Sequence, residues 1–279
     1  MSTPFEINPN IKMIEPVYQV VGDANWNSWS KIARLIKHMT WRSLASRYRG
    51  SALGFLWTLV NPIMLMFVYT FVFKIVFGQS VAGVPFQVYL MTGILAWNFF
   101  STAAIQASVS LVSGASLVNK STFPRIVLPV SAVLANAVNY LVALPLLFAF
   151  IVISGVSVTA SILLLPFAFL LLTIIAIGLG ALLASLMPFF QDLQHLIEVF
   201  FTMWLFLTPI VYDISLIPEV WRPWYSLNPM VGIIEFIHTV FLGQPLHDRS
   251  LAGSVVGSLG ILLIGLWVFR RLAPHCTEV

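Results

Sequence analysis

Charged side chains are scarce in this 279-residue sequence. Only 9% of the residues are Asp, Glu, Lys or Arg, whereas 59% are hydrophobic. A soluble domain carries roughly 25% charged residues, so this chain has too little polar surface to cover a soluble core. The low charge therefore excludes a soluble globular protein and indicates an integral membrane protein.

Groups for covalent, metal or phosphate chemistry are also scarce. The single cysteine, Cys276, excludes an intrachain disulfide. The sequence has no GxxxxGKS or GxxxxGKT motif to bind ATP phosphates, and no HExxH motif or Cys/His cluster with metal-ligand spacing. We therefore expect a chain that is not an enzyme and holds no cofactor. The N-terminus is polar and shows no signal-peptide pattern.

The apolar segments predict an all-α membrane protein with six transmembrane helices, because a helical span needs about 20 predominantly apolar residues. Residues 126–191 carry no charge and are too many for one helix, so a turn is expected near residues 154–157. The predicted spans are residues 54–77, 86–113, 126–153, 158–187, 193–212 and 250–270. They form one transmembrane domain, 54–271, between an N-terminal tail (1–27) and a C-terminal tail (272–279).

Basic residues indicate the orientation. Of the 14 Lys and Arg residues, seven precede the first span, two lie between spans two and three, and two follow span six. These eleven lie on one side, and cytoplasmic loops are the basic ones. Both termini are therefore expected to be cytoplasmic.

Residues 28–53 are predicted to form an interfacial helix and a turn. The apolar side of residues 28–46 comprises Trp29, Ile32, Ala33, Ile36, Met39 and Ser43, and the opposite side carries Lys31, Arg34, His38 and Arg42. This pattern is typical of a helix lying in the membrane surface. On the outer side, residues 231–242 have the pattern of an amphipathic helix too short to cross, which favours an interfacial or re-entrant element.

The energy source is expected to lie outside this chain. Glu198 is the only carboxylate firmly inside a predicted span, and pairing or snorkelling explains it better than ion coupling. A partner ATPase then needs a docking element on the cytoplasmic side. Residues 114–125 suit this role, although the same segment also fits an ordinary short loop. Small residues of the fourth span, such as Gly178 and Ala181, favour internal helix packing over a dimer seam.

Three groups of residues resemble polysaccharide-export permeases of ABC transporters, the group that exports O-antigen, capsule and teichoic acid. Residues 47–62, RYRGSALGFLWTLVNP, resemble the start of the family's first span. Residues 116–129, with SLVNK, FPR and LP, resemble its coupling segment. TPIVY at 208–212, followed by Asn228-Pro229, resembles the end of its fifth span and its outer loop. Gln191 stands where the family often has arginine, so no arginine role is carried over.

The resemblance implies a homodimer with two copies of a separate ATPase subunit, which would hold the ATP and Mg. The implied cargo is a polysaccharide on an undecaprenyl-pyrophosphate carrier in the bacterial inner membrane, with membrane lipids as further partners and no nucleic acid. Coupling to the ATPase is assigned to Ser116, Leu117, Lys120, Phe123, Pro124 and Arg125. Two alternatives stay open: a permease of another ABC exporter, for a drug or lipid, and a membrane-embedded transferase acting on lipid-linked sugars.

Further site residues follow from this interpretation. If the interfacial helix continued through Arg47, then Arg47 and Arg49 would point into its apolar face. Either the helix ends before Arg47, or both side chains meet an anion. Guanidinium groups bind phosphate through two hydrogen bonds, so we expect a lipid-pyrophosphate entrance here, with simple anchoring to anionic lipid as the alternative.

Aromatic side chains are candidates for the sugar path and for a gate at its outer mouth. The predicted path residues are Trp57, Tyr69, Phe200 and Trp204, although membrane-facing packing also explains aromatics in spans. An open pore of that width would leak ions, so residues 213–249 are expected to close it. The predicted gate residues are Tyr212, Ile214, Trp221, Trp224, Tyr225, Asn228 and Pro229.

Overall fold

Helices account for nearly all of the regular structure. The computed structural model describes residues 29–48, 56–81, 83–115, 123–190, 192–246 and 248–277, and no strand occurs among them. The eight long helices are α1 (Trp29–Tyr48), α2 (Trp57–Tyr69), α3 (Phe86–Ser108), α4 (Val127–Ile153), α5 (Leu165–Leu186), α6 (Leu193–Phe206), α7 (Pro229–Leu242) and α8 (Asp248–Leu272). The prediction of an all-helical protein is confirmed for this part of the chain.

Five segments of the described chain are long and apolar enough to cross a membrane. They are Trp57–Val76, Phe86–Ser108, Val127–Ile153, Ala160–Phe189 and Ser250–His275. The first consists of α2 and a π-helical continuation over Thr70–Val76, and short 3-10 turns extend α5 and α8. Five predicted spans therefore have a helical counterpart with similar bounds.

The fifth predicted span, residues 193–212, is shorter than expected. Helix α6 has 14 residues and ends at Phe206, before the sequence Leu207-Thr208-Pro209. Proline lacks a backbone N–H and disfavours helical geometry in the residue before it, so the helix ends ahead of Pro209. An apolar run of sufficient length was not enough to make one continuous spanning helix here.

Helix α7 is embedded in the protein, so the interfacial alternative for residues 231–242 is wrong, whereas a re-entrant element stays a prediction. All of its residues except Pro229 and Thr239 are buried. It packs against α3, α5 and α8. Most residues of the helix are apolar, and its two titratable side chains, Glu235 and His238, are buried with them.

Helix α1 turns its apolar side toward the protein. Leu35 and Met39 are buried against α4, whereas Trp29 is 85% exposed and Ala33 is exposed. The buried side is therefore rotated away from the predicted one. The predicted side grouped Trp29 and Ala33 with Met39, because spacing alone cannot separate neighbouring helix faces.

One group of buried residues closes the end of the bundle at which α1 lies. It contains Leu35, Met39, Leu111, Phe123, Val127, Leu128, Ala181, Ala184, Phe269 and Ala273. We call these residues the basal cluster and this end of the bundle the basal end. The cluster joins α1, the start of α4 and the ends of α5 and α8.

Helices α5 and α8 form the most extensive pair in the described chain, and glycine permits it. A Cβ at Gly265 would lie 2.0 Å from the carbonyl oxygen of Gly178, and a Cβ at Gly178 would lie 2.5 Å from the Cα of Leu262. Small residues let helix backbones approach this closely. The small residues of the fourth span therefore pack inside the protomer, as predicted.

This close approach predicts that alanine destabilises the protein at Gly265 of α8 but not at Gly260 of the same helix. Gly265→Ala should lower the thermal unfolding midpoint of the detergent-solubilised protein, since overpacking costs about 1–3 kcal/mol. Gly260→Ala is the matched control, because no heavy atom would lie within 4 Å of its Cβ. It should leave the midpoint unchanged or raise it slightly, as alanine favours the helix. Equal midpoints for the two variants would contradict this account of the α5–α8 contact.

Candidate functional site

A cavity of about 410 Å³ lies between α2, α3 and α4, next to the end of α1. We call it the inner cavity. Its lining is unusually polar for the interior of a membrane protein: it includes five side-chain amides and one guanidinium, those of Asn61, Asn98, Gln106, Asn136, Asn139 and Arg47. Polar residues inside membrane segments are expensive and mark binding sites or paths.

Helical spacing brings these groups together. Asn98, Thr102 and Gln106 follow one another at intervals of four residues on α3, so they share one face of that helix. Asn136, Asn139 and Tyr140 of α4 face the same cavity. The sequence analysis missed this set, although the four-residue spacing of polar groups in an apolar span was a visible signal.

Arg47 ties three helices together at the basal end of the inner cavity. Its guanidinium donates to Asn136 Oδ1 at 3.0 Å and also to Gln106 Oε1. The side-chain amide of Asn136 donates to Gln106 Oε1 as well, at 3.0 Å. Helix α1 runs through Arg47 to Tyr48, so the alternative in which it ends before Arg47 is wrong. The side chain meets neutral amides of α3 and α4, and Arg49 lies outside the described residues.

A second cavity, of about 340 Å³, lies on the other side of this contact. We call it the basal pocket. Arg42, Ser46 and Ser113 line it, and it shares Arg47 and Gln106 with the inner cavity. The contact between Arg47 and Gln106 therefore stands at the boundary between the two cavities.

The four aromatic residues predicted for the sugar path are not brought together. Trp57 lines the inner cavity and is half exposed. Phe200 and Trp204 of α6 belong to a ring cluster on α3 and α6, with a centroid distance of 5.0 Å between them. Tyr69 contacts only Phe73 among the aromatic rings of the described chain. The aromatic residues of α2 and α6 thus occupy separate places in the protomer.

The predicted coupling segment, residues 114–125, is described only at its two ends, residues 114–115 and 123–125. Phe123 is buried in the basal cluster, Pro124 is partly buried, and the guanidinium of Arg125 donates to the carbonyl oxygen of Ala273. Phe123 and Arg125 thus hold the segment against α8. Ser116, Leu117 and Lys120 lie outside the described residues.

Asn228 organises the end of the bundle opposite the basal end. Its Oδ1 accepts from Trp204 Nε1 at 2.9 Å and from the N–H of Met230 at 3.0 Å, which caps α7. Its Nδ2 donates to the carbonyl oxygen of Leu207 at 2.9 Å. One side chain therefore joins α6 to the start of α7, where Pro229 occupies the first helical turn.

The other predicted gate residues divide into a bonded pair and exposed positions. The hydroxyls of Tyr212 and Tyr225 lie 2.7 Å apart, and Tyr212 also donates to the carbonyl oxygen of Phe206. Burial, and then this hydrogen bond, raise the pKa of Tyr225, so the hydroxyl stays neutral. Trp221 and Trp224 are exposed, and Ile214 begins a short 3-10 turn.

An outer cavity of about 910 Å³ adjoins this region and contains groups that the sequence analysis missed. Glu235 and His238 of α7 line it, although both are buried. Ser250 donates to the Glu235 carboxylate, and the rings of Tyr89 and His238 stack with centroids 3.8 Å apart. Glu235 and His238 are three residues apart and therefore share one face of α7, which the sequence could have indicated.

Comparison of the sequence with known proteins identifies its family. The family described as ABC-2 type transporter matches residues 34–242. The chain belongs to the ABC-2 type transporter family. With five apolar helices of spanning length among the described residues, this ABC-2 type protein is a multi-pass membrane protein.

Several relatives of this ABC-2 type protein carry functional names. It is 31% identical to the O-antigen export system permease protein RfbA of Myxococcus xanthus, over 92% of this chain and 93% of that protein. It is 27% identical to RfbA of Klebsiella pneumoniae over 88% of this chain and 94% of the relative. The polysialic acid transport protein KpsM of Escherichia coli is 22% identical over 82% and 90% of the two chains.

The contacts of Asn228 predict a graded loss of stability. Asn228→Ala removes the cap of α7 and both links to α6, so it should lower the free energy of unfolding by about 2 kcal/mol or more. Asn228→Asp keeps the acceptor oxygens and should lie between the alanine variant and the wild type. Thermal unfolding followed by tryptophan fluorescence measures the order.

Asp213→Ala is the matched control for this series, since Asp213 caps only the exposed turn at Ser215. It should cost less than either Asn228 variant. If Asn228→Ala is no less stable than Asp213→Ala, the link between α6 and α7 is not what stabilises this end of the bundle.

Proposed function

We propose that this chain is the membrane-spanning subunit of an ATP-driven exporter that moves a lipid-linked polysaccharide, of the O-antigen or capsule class, across the inner membrane. The observation that carries the proposal is the agreement in length and sequence with O-antigen export permeases over about nine-tenths of both chains, 92% and 93% in one case. The inner cavity supports it, because amides and aromatic rings suit a hydroxyl-rich cargo. The chain itself holds no cofactor, and ATP with Mg binds in the partner subunit.

Six membrane crossings are consistent with the contacts, although α6 is short. Ala184 near the end of α5 lies in the basal cluster, whereas Ser250 near the start of α8 contacts Glu235 at the opposite end. The chain must therefore cross the bundle between these residues. Helix α6 covers about 21 Å of a hydrocarbon core about 30 Å thick, and the residues after Phe206 complete the crossing.

Both termini then lie on one side, and the excess of Lys and Arg near α1 identifies it as the cytoplasm. Helix α1 lies at this membrane surface with its exposed basic residues toward the lipid headgroups. A reporter that works only in the cytoplasm, fused after Val279, should therefore be active. Activity of an exclusively extracytoplasmic reporter at the same position would reverse the orientation.

The working assembly is a homodimer that binds two copies of a separate ATPase. Helix α2, its π-helical continuation and helix α6 leave many apolar side chains exposed, among them Phe67, Phe71, Val199 and Met203. This suits a lipid-facing or self-associating surface. The ATPase docks on residues 114–125, including Ser116, Leu117 and Lys120. Phe123, Pro124 and Arg125 transmit its movement, because they are held against α8 and the basal cluster.

The carrier pyrophosphate enters near Arg47 and Arg49, beside the basal pocket. Arg47 presents a planar guanidinium there, and guanidinium groups suit phosphate recognition. The sugar then passes along Trp57, Tyr69, Phe200 and Trp204 toward the outer mouth. Tyr212, Ile214, Trp221, Trp224, Tyr225, Asn228 and Pro229 close that mouth at rest, and the Tyr212–Tyr225 hydrogen bond supports this role.

Co-expression with the ATPase subunit tests the function directly. The two proteins should purify as a complex of two copies of each, and a strain that lacks its own permease should regain surface polysaccharide. Lys120→Glu should reduce both ATPase co-purification and export while membrane insertion stays normal. Lys74→Glu is the control, since Lys74 lies in α2's π-helical continuation, far along the chain from the docking segment. Absence of ATP-dependent polysaccharide export from a correctly assembled complex would overturn the proposal.

A further inference from the structure

Four polar side chains in the middle of the inner cavity make no hydrogen bond to any described residue. They belong to Asn61 of α2, Asn98 and Thr102 of α3, and Tyr140 of α4. Buried polar groups in proteins are nearly always hydrogen-bonded, since leaving them unpaired costs free energy. Of these four, Tyr140 is buried, Asn98 and Thr102 are partly buried and Asn61 is exposed. Together they line the cavity with hydroxyl and amide groups to which a polar ligand can bond.

Tyr140 is the most informative of the four. Its side chain is only 4% exposed, and its ring stacks on Phe99 and Phe169 with centroid distances of 5.4 Å and 5.9 Å. These contacts fix the ring, so the hydroxyl remains directed at the cavity. A phenylalanine would pack there equally well, which means that packing alone does not explain the hydroxyl.

Neighbouring hydroxyls behave differently. Ser101 donates to the carbonyl oxygen of Trp97 at 2.9 Å, and Thr173 of α5 donates to that of Phe169 at 2.8 Å. The hydroxyls of serine and threonine in helices commonly donate to a backbone carbonyl oxygen of the preceding turn in this way. Thr102 follows Ser101 directly but makes no such bond within the described chain. Its hydroxyl is therefore available to a group inside the cavity.

The lining changes in character along the cavity. Arg47 and Gln106 form its basal end, the unpaired hydroxyls and amides form its middle, and Leu95 and Ala143 form its far end. From Gln106 to Leu95 the helix rises by about 16 Å. A cationic end followed by neutral donors and acceptors matches a diphosphate followed by a sugar ring. Trp57 and Phe99 add apolar surfaces against which the CH faces of such a ring pack.

We propose that the inner cavity binds the first sugar of the lipid-linked glycan, the one attached to the carrier diphosphate. The diphosphate lies at the Arg47 end, and the ring hydroxyls bond to Asn61, Asn98, Thr102 and Tyr140. The site lies within one protomer, so each copy of the chain holds its own sugar. This inference deepens the proposed function and rests on it, because it assumes a glycan on a diphosphate carrier.

Two probes separate sugar recognition from headgroup recognition. One is the diphosphate-linked glycan extracted from membranes of the producing bacterium, and the other is the bare carrier diphosphate left after mild acid removes the glycan. Native mass spectrometry of the detergent-solubilised complex with its ATPase measures the affinity for each. The wild type should bind the glycan-bearing form more tightly than the bare carrier.

The variant Tyr140→Phe with Thr102→Val removes two hydroxyls and little volume. It should weaken binding of the glycan-bearing form about tenfold, as expected for two lost hydrogen bonds, and leave binding of the bare carrier unchanged. Thr173→Val is the matched control, since it removes a hydroxyl outside the cavity that bonds to its own helix. Arg47→Lys should weaken binding of both probes.

The outcomes distinguish this inference from the proposed function. If the double variant keeps the wild-type preference for the glycan-bearing form, or loses affinity for both probes equally, the sugar site is overturned while the export function stands. If the wild type binds the two probes equally, the cavity does not recognise sugar. If it binds neither probe and exports no polysaccharide, both proposals fail together.

Discussion

The guanidinium of Arg47 is held between two neutral amides, and this contact separates the inner cavity from the basal pocket. Because Asn136 and Gln106 belong to α4 and α3, the contact fastens α1 to both helices. An arginine inside a membrane protein is tolerated where the protein supplies hydrogen bonds to its charge. The amides of Gln106 and Asn136 also line the inner cavity. The same two side chains therefore stabilise the charge of Arg47 and shape the cavity.

A second constraint acts at the same end of the bundle. Phe123 and Arg125, at the end of the expected docking segment, pack against the end of α8. The basal cluster continues from there to Leu35 and Met39 of α1. Residues 123–125 are therefore connected through packed side chains to α1, the helix that carries Arg47. Packed side chains transmit displacements because protein interiors are dense and have few alternative arrangements.

The opposite end depends on polar groups buried among apolar helices. Asn228 joins α6 to α7, and Glu235 and Ser250 join α7 to α8. Helix α7 is too short to cross a membrane, yet it is as thoroughly buried as any helix of the described chain. The capping residue Asn228 and the carboxylate of Glu235 hold α7 in place. Helices α5 and α8, which approach each other closely at Gly178 and Gly265, both pack against it.

The sequence by itself determined the membrane class, five of the apolar helices and the family resemblance, because hydropathy and local motifs depend only on neighbouring residues. It also singled out Arg47 and Asn228 as residues of interest. Only the tertiary structure decided that α6 ends before Pro209, that α7 is buried, and that Arg47 meets Gln106 and Asn136. Those contacts join residues 59 and 89 positions apart, and helical periodicity carries no information about which distant face a side chain will meet.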